Sequence, residues 1–299
     1  MRILVTGCSG LVGSHLIETL AAKGYDIVGY DRSKPKYDSP HFVFEEGDLG
    51  DSYRLISILN RYKIDCIVHC GGISHPKMGE ISDIIQANIT GTINIFEAAK
   101  KFNIKRVINL SSGAVYGENQ LDFTSEESPL RPTSIYGISK LTGEQAAEMY
   151  SELYGIEILS LRICFVYGPG RTTPDPLQSI LKRLVKGIDV NDIQGSEQKL
   201  EFIYIKDLIQ CIEKVIELQD IKGRVYNIGS GRSVTLAQIT EIVEKLFPNS
   251  TIQIGPGTLG YDMIGPFDCS KAKNDLQFEI NYSLEDGIKE YIHFLKKEI

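Results

Sequence analysis

Residues 3–24 are the stretch that most limits what this chain can become. Ile3, Leu4 and Val5 form a short, wholly apolar run that ends in Thr6-Gly7. Apolar residues without alternation are the pattern of a strand buried on both faces of a parallel sheet. Gly7-Cys8-Ser9-Gly10-Leu11-Val12-Gly13 follows, and residues 15–23 then carry apolar side chains at the helical spacing of Leu16, Ile17 and Leu20, with Gly24 as the stop. Strand, glycine turn and helix in that order give the glycines a purpose. They permit a tight turn and a close approach of backbone to a pyrophosphate, and the helix start offers unpaired N–H groups and a positive dipole end. The spacing is Gly-x-x-Gly-x-x-Gly, not Gly-x-Gly-x-x-Gly. A glycine-rich turn without a ligand is the plainer alternative; the context favours a bound nucleotide.

The same alternation continues. Strands are expected at residues 26–30, 42–44, 65–69, 107–110 and 158–163, and helices at 53–62, 81–102 and 139–154. This is the signature of a doubly wound parallel sheet, which binds ligands at the carboxyl ends of its strands. Asp31 ends the second strand, 18 positions after Gly13. An acid there suits ribose hydroxyls and repels a 2′-phosphate, which favours NAD over NADP; Arg32 and Lys34 soften that repulsion, and a simple turn aspartate is the alternative. Cys70-Gly71-Gly72 end the fourth strand, where small glycines let a ligand lie against backbone. Ser111 and Ser112 end the fifth. After residue 165 the pattern shifts to helices at 177–186, 208–218, 236–246 and 284–296, strands at 202–205 and 226–228, and a Gly/Pro-rich stretch at 255–266 that reads as a connection or a lid. The expected architecture is a Rossmann-type α/β domain, residues 1–165, to which the chain returns near 200–220, and a smaller α+β substrate-binding part within 166–299.

Tyr136 and Lys140 stand four residues apart at the head of a helical run, and so share a face. A free phenol titrates near ~10 and is a poor base at neutral pH; a neighbouring cation favours the phenolate and lowers that value. Such a tyrosine can take a proton from an alcohol or return it to a carbonyl. A serine hydroxyl such as Ser112 beside it would hold the substrate oxygen in place. Alone, the pair reads equally as a half-buried aromatic and a solvated lysine. Its position after the nucleotide-type sheet is what gives it weight.

Composition removes other classes. The net charge is −7 and no basic run exceeds the short patches at 34–36 and 296–297, which argues against nucleic acid or an anionic membrane as partner. The six cysteines lie far apart and read as small core residues of a reducing compartment. Cys66 and Cys70 flank His69 without further ligands at suitable spacing, so no metal is expected. No signal-peptide core is visible and no apolar run approaches the roughly 20 residues of a membrane span, which makes the cytoplasm the expected location.

Taken together, the chain resembles the extended short-chain dehydrogenase/reductase superfamily. Within it, the likeness is to NAD-dependent sugar epimerases and dehydratases of the UDP-glucose 4-epimerase type. The likeness spans nearly the whole chain. It rests on Thr6-Gly-Cys-Ser-Gly-Leu-Val-Gly13, Gly47-Asp48-Leu49, Asn88-Ile-Thr-Gly-Thr-Ile-Asn94, Leu110-Ser-Ser-Gly-Ala-Val-Tyr-Gly117, Tyr136-x-x-x-Lys140, Tyr167-Gly-Pro169, Phe202-Ile-Tyr-Ile-Lys-Asp-Leu208 and Tyr226-Asn-Ile-Gly-Ser230. The resemblance implies NAD as cofactor. Gly7, Gly10 and Gly13 would face the pyrophosphate, with Leu11 and Val12 between them. Asp31, with Arg32, would lie at the adenine ribose, and Asp48 and Leu49 at the adenine. Cys70, Gly71, Gly72 and Asn88 complete the cofactor set. Tyr136 would be the acid/base, Lys140 would bind the nicotinamide ribose and lower the Tyr136 pKa, and Ser112 would hold the reacting oxygen. It also implies a homodimer formed through the helix of Tyr136 and the helix at 81–102.

Some positions depart from that family's pattern. Dehydratases carry an Asp-Glu pair where this chain has Gly113-Ala114, so the groups for water elimination are missing. An Asn is replaced by Phe165, an Arg by Leu200, and residues 257–268 lack a further Arg. Arginines clamp diphosphates with paired, charge-assisted bonds; Arg171 and Arg183 are the candidates to substitute. Two chemical readings follow: a redox-neutral sugar or nucleotide-sugar epimerase, and a net NAD-dependent dehydrogenase or reductase of a free sugar, sugar acid or other small hydroxy compound. A nucleotide-sensing scaffold without chemistry is the third, and the intact Ser112, Tyr136 and Lys140 speak against it.

Overall fold

The computed structural model describes residues 1–74, 80–119, 121–173 and 175–298. The first half alternates as expected: β1 (Arg2–Thr6), α1 (Leu11–Ala22), β2 (Asp26–Asp31), β3 (Phe42–Glu46), α2 (Ser52–Arg61), β4 (Cys66–His69), α3 (Ile81–Ile84), α4 (Gly91–Lys101), β5 (Arg106–Ser112), α5 (Ile135–Tyr154) and β6 (Glu157–Ile163). One π-helical turn, Ile85–Thr90, joins α3 to α4 and carries Asn88. The second half holds β7 (Phe165–Tyr167), α6 (Pro176–Val185), β8 (Val190–Gln194), β9 (Lys199–Tyr204), α7 (Ile205–Glu217), β10 (Val225–Ile228), β11 (Ser233–Thr235), α8 (Leu236–Leu246), β12 (Ile252–Gly255), α9 (Ser270–Leu276) and α10 (Leu284–Lys297).

Seven strands form one parallel sheet in the order β10-β6-β5-β4-β1-β2-β3. This is the Rossmann-type sheet that the alternation implied. Chain order reverses between β1 and β4, and the crevice outside that reversal is where such sheets bind ligands. Side chains alternate between two buried faces. Ile3, Val5 and Val68 join the core shared with α1, α6 and α7, whereas Leu4, Val28 and Ile67 face the core under α2, α4 and α5. The seventh strand is supplied late in the chain, by β10, and α7 packs beside α1.

The second half adds a three-stranded sheet, β11-β9-β7, and a two-stranded one, β12-β8. Sequence periodicity did not disclose β7, β8, β11 or β12. Each has five residues or fewer, too few turns of a period-two pattern to stand out. Among the described residues no helix is long and apolar enough to cross a membrane.

Candidate active site

Helix α1 begins at Leu11, directly after Gly10, four residues earlier than its apolar spacing suggests. Gly13 therefore lies inside the first turn of the helix, and a Cβ on it would run into the Gly7 carbonyl oxygen. Gly7 has φ +65° and would place a Cβ 2.6 Å from the Gly71 Cα, so the first turn and the end of β4 touch backbone to backbone. The Gly7 amide donates to the Tyr30 carbonyl at 2.9 Å and the Gly10 amide to that of Gly7 at 3.0 Å. Leu11 and Val12 start the helix, partly exposed above this cradle. Such a surface of bare backbone at a helix N-terminus fits the pyrophosphate of a dinucleotide such as NAD.

The remaining cofactor candidates line the same edge. Asp31 accepts from the Ser9 amide at 3.0 Å and from the Arg32 amide at 2.7 Å, so its carboxylate holds the turn at the tip of β2. The Arg32 side chain is exposed. Asp48 accepts from the Gly50 amide at 2.8 Å through its carboxylate, and its carbonyl accepts from the Tyr30 hydroxyl at 2.6 Å. The Leu49 side chain wedges between Gly71 and Gly91. Cys70 is enclosed, and burial pushes its thiol up to about 12. Asn88 is fully engaged: it accepts from the Ile73 amide at 2.7 Å, and donates to the Ile73 carbonyl at 3.0 Å and to the Ser139 hydroxyl at 3.1 Å.

Tyr136 arrives here because α5 starts against the end of β5. Ser134 caps the helix by accepting from the Gly137 amide at 3.1 Å, and Gly137 lacks the Cβ that would strike the Ala114 carbonyl. Ser112 ends β5 and accepts from the Ala114 amide at 3.2 Å, and its hydroxyl faces the Tyr136 phenol closely enough to favour the phenolate. One turn later Lys140 donates to the Leu110 carbonyl at 2.8 Å, with Nζ 5.8 Å from the centre of the Tyr136 ring. A Cβ on Gly72 would lie 3.8 Å from the same Nζ. Ser112, Tyr136 and Lys140 thus meet beside Gly72, across the crevice from the glycine turn.

The sequence reading expects Lys140 to lower the Tyr136 pKa. Burial of the phenol acts the other way and raises it, against smaller lowering contributions from Ser112 and the positive charge of Arg171. By surface area both side chains remain partly open to the crevice, while their polar ends are enclosed by protein. Enclosure brings the Lys140 ammonium down to about 8, so this cation is itself costly where it stands. The phenol is therefore held as an acid, with Ser112 and Arg171 as the groups that favour its ionisation.

In the second half of the chain, Phe165 packs against Phe202 and Tyr261, with ring centroids 5.2 and 5.9 Å away, and the Arg171 guanidinium lies 4.7 Å over the Phe165 ring. Arg171 is anchored by Asp175 at 2.9 Å and the Val166 carbonyl at 2.6 Å. Arg183 instead pairs with Asp192 at the exposed end of α6. A Cβ on Gly113 would lie 2.7 Å from the Phe267 ring, so the site has no room for an acidic side chain there.

Sequence reading missed the supports behind these groups. Glu144, two turns beyond Tyr136 on α5, pairs with Arg162 of β6 at 2.7 Å and accepts from the Ser111 hydroxyl. Only its spacing from Lys140 hinted at a role. Glu201, preceded by the aberrant Leu200, is buried and accepts from the amides of Gly231 and Phe267, each at 2.7 Å. It ties β9 to the segment that covers Gly113. Burial pushes its carboxyl up to about 7. The folded protein then holds this proton where the unfolded chain, titrating near 4.5, has lost it. The Glu201 contribution to stability is thus complete below about 4.5 and is lost as pH rises through about 7, a change of roughly 3 kcal/mol. Thermal unfolding from pH 5 to 8 is expected to show this decline in the wild type and not in Glu201→Gln; parallel curves would refute it.

Known proteins share this fold. Residues 3–229 match the model of the NAD dependent epimerase/dehydratase family. A UDP-glucuronate 4-epimerase of Thermodesulfobacterium geofontis is 26% identical over 99% of this chain and 96% of its own length. Among solved structures, the UDP-glucose 4-epimerase of Thermotoga maritima with UDP-glucose superposes with a TM-score of 0.92 at 28% identity, covering 100% of this chain and 99% of that one. The UDP-glucuronic acid 4-epimerase of Bacillus cereus, in complex with UDP-glucuronic acid and NAD, gives 0.88 at 28% identity and full coverage of both chains. With the glycine cradle, the Ser112–Tyr136–Lys140 cluster and a family match over three quarters of its length, this chain belongs to the NAD dependent epimerase/dehydratase family.

Proposed function

We propose that the chain is an NAD-dependent epimerase that inverts a secondary alcohol of a sugar-type substrate, the 4-hydroxyl of a nucleotide sugar. The observation that carries this reading is Lys140, whose ammonium bonds the end of β5, borders Gly72 and overlooks the Tyr136 ring. This supports a phenol acting as acid/base at the carboxyl end of β5, next to the strand pair β4 and β1 where the chain order reverses. Gly7, Gly10, Leu11, Val12, Gly13, Gly71 and Gly72 form the floor for NAD, with Asp31, Arg32, Asp48 and Leu49 at its adenosine end and Cys70 and Asn88 behind it. NAD bound there supplies the hydride acceptor, and then the donor, for the substrate carbon. Residues 1–165 form most of the cofactor part, and the chain returns to it with α7 and, later than the 200–220 expected and within a stretch expected in the smaller part, with β10 at 225–228; the rest of residues 166–299 supplies most of the substrate side.

The residues of this chain move and hold the proton. The Ser112 hydroxyl orients the substrate oxygen toward Tyr136. As phenolate, Tyr136 accepts the hydroxyl proton; as phenol, the form that burial favours, it returns the proton to the carbonyl. Lys140 spends one N–H on Leu110 and keeps its others for the cofactor ribose and the phenolate. The crowded Gly113 leaves no carboxyl for water elimination, which supports epimerisation over dehydration. A net dehydrogenase of a free sugar or sugar acid is the second reading. Phe165 and Leu200 favour it, because neither can bond a diphosphate.

The partner expected besides the substrate is a second copy of the chain. Ile81, Ile85, Ile138, Met149 and Leu153 are exposed on α3, the π turn and α5, which pack side by side. In one experiment, purified protein is given UDP-glucose, UDP-galactose or UDP-glucuronate, or the free sugars and sugar acids, and products are followed by NMR. The expected result is interconversion of a UDP-sugar pair without accumulation of NADH, by a species that sediments at twice the mass of one chain. Stoichiometric NADH from a free sugar would replace the epimerase with the dehydrogenase, and a single-chain mass would remove the dimer.

A further inference from the structure

His69 ends β4 beneath the crevice, 1% exposed, and no step above uses it. Four hydrogen bonds surround it, and their directions can be read from the partners that have no choice. The Thr92 hydroxyl lies 2.5 Å from the Asn88 carbonyl oxygen, which can only accept, so Thr92 spends its proton there. The His69 Nε2 atom, 3.0 Å from the Thr92 oxygen, must then be the donor. On the other side the Gly71 amide donates to the Thr6 oxygen at 3.2 Å, and the Thr6 hydroxyl lies 2.7 Å from His69 Nδ1. With Nε2 protonated, Nδ1 accepts the Thr6 proton and every donor in the series has one acceptor. The series does not stop at Asn88. Its side chain donates to Ser139, and the Ser139 hydroxyl donates to the Tyr136 carbonyl at 2.7 Å.

We propose that His69 is a positioning residue: a neutral imidazole, protonated at Nε2, whose one-way hydrogen bonds lock the glycine end of β4 to the helix that carries Tyr136 and Lys140. The Gly71 amide belongs to the backbone that touches Gly7, the floor of the cofactor cradle. The Asn88 side chain fixes the segment after β4 and the first turn of α5 at once. His69 joins the two, so the height of the cofactor floor relative to the phenol depends on its ring. A charged imidazole would break the series, because Nδ1 would become a second donor against Thr6. Burial, with the Lys140 ammonium as the charge that bears on the ring among the described residues, brings its pKa down to about 3. An aliphatic residue of similar size would fill the space and leave the Thr6 and Thr92 hydroxyls without their common partner.

The inference rests on the epimerase reading only where turnover is measured; the bonding pattern and cofactor affinity stand apart from it. Protein with 15N-labelled histidine is observed by long-range proton–nitrogen NMR, with the His69 signals assigned from their loss in His69→Gln. The expected spectrum shows the Nε2-protonated neutral ring without titration from pH 5 to 8. His69→Leu is expected to weaken NAD binding, read by calorimetry, about tenfold and to lower kcat by a similar factor with little change in sugar KM. His69→Gln, which keeps a donor and an acceptor, is expected to recover part of both. Should His69→Leu fail to fold, Thr92→Val gives the same reading: NAD affinity falls and the His69 signal shifts. A ring protonated at Nδ1, a ring that titrates within that range, or a folded Leu or Val variant with wild-type NAD affinity would overturn the proposal. Normal NAD binding and the expected spectrum in a protein that turns over no UDP-sugar would instead count against the epimerase and leave His69 in place.

Discussion

Tyr136→Phe is expected to lower epimerase turnover by roughly a thousandfold. The ring remains, so its packing at the head of α5 and its place under the Lys140 ammonium are kept. What is lost is the one oxygen that Ser112 and Arg171 act on. Among the described residues no nearby group takes its place: the Lys140 ammonium stands 5.8 Å from the ring centre with one N–H on Leu110, and Ser112 has no base of its own. NAD affinity and the melting temperature are expected to stay close to the wild type, since neither the glycine cradle nor the Ser134 cap is touched. Interconversion of a UDP-sugar pair by NMR, with calorimetric titration of NAD, checks both halves. A variant that retains turnover within about threefold would remove the phenol from the mechanism.

How much of this could be read before the fold was known differs from residue to residue. The glycine turn was legible because its job is done by residues adjacent in sequence, and strand, turn and helix leave their own periodicities on either side. The Tyr136–Lys140 spacing was legible for the same reason. The helix boundary at Leu11 was missed because Leu11, Val12 and Gly13 lie in the first turn, which is shaped by contact with Gly7 rather than by amphipathic spacing. The burial that raises the Tyr136 pKa was not legible because spacing reports a neighbour but not enclosure. Lys140 is near the ring, yet it points at the Leu110 carbonyl, and the burial that raises Tyr136 also depresses Lys140 itself. His69, Glu201 and Arg162 act through partners up to 66 positions away, and nothing local in the chain marks them.

The second large effect concerns a pair that never touches substrate. Arg162→Met is expected to cost about 3–5 kcal/mol of folding stability. Arg162 and Glu144 are 4% and 6% exposed, and the guanidinium reaches both carboxylate oxygens, at 3.1 Å from Nε and 2.7 Å from Nη2. Its remaining nitrogen donates to the Tyr116 hydroxyl and the Glu126 carbonyl, each at 3.0 Å. Methionine fills much of the volume and supplies none of these donors. Among the described residues Glu144 would then sit in the interior with only the Ser111 hydroxyl as a partner, and a lone buried carboxylate is far more costly than a paired one. The pair itself is worth less than this loss implies, because both ions gave up their hydration to enter the interior. Arg162→Met combined with Glu144→Leu is therefore expected to recover most of the deficit, whereas Glu144→Leu alone leaves an unpaired guanidinium and is expected to match the Arg162 variant. Urea unfolding of the four proteins completes the cycle, and additive losses would show that the two charges stabilise the fold independently. The same cycle separates support from chemistry. Glu144 stands one turn beyond Lys140 on the helix that presents Tyr136, so the double variant, refolded around an apolar contact, is expected to regain its midpoint while α5 is held by packing alone. A kcat below wild type at recovered stability would then measure how far the ion pair sets the register of α5 against β5.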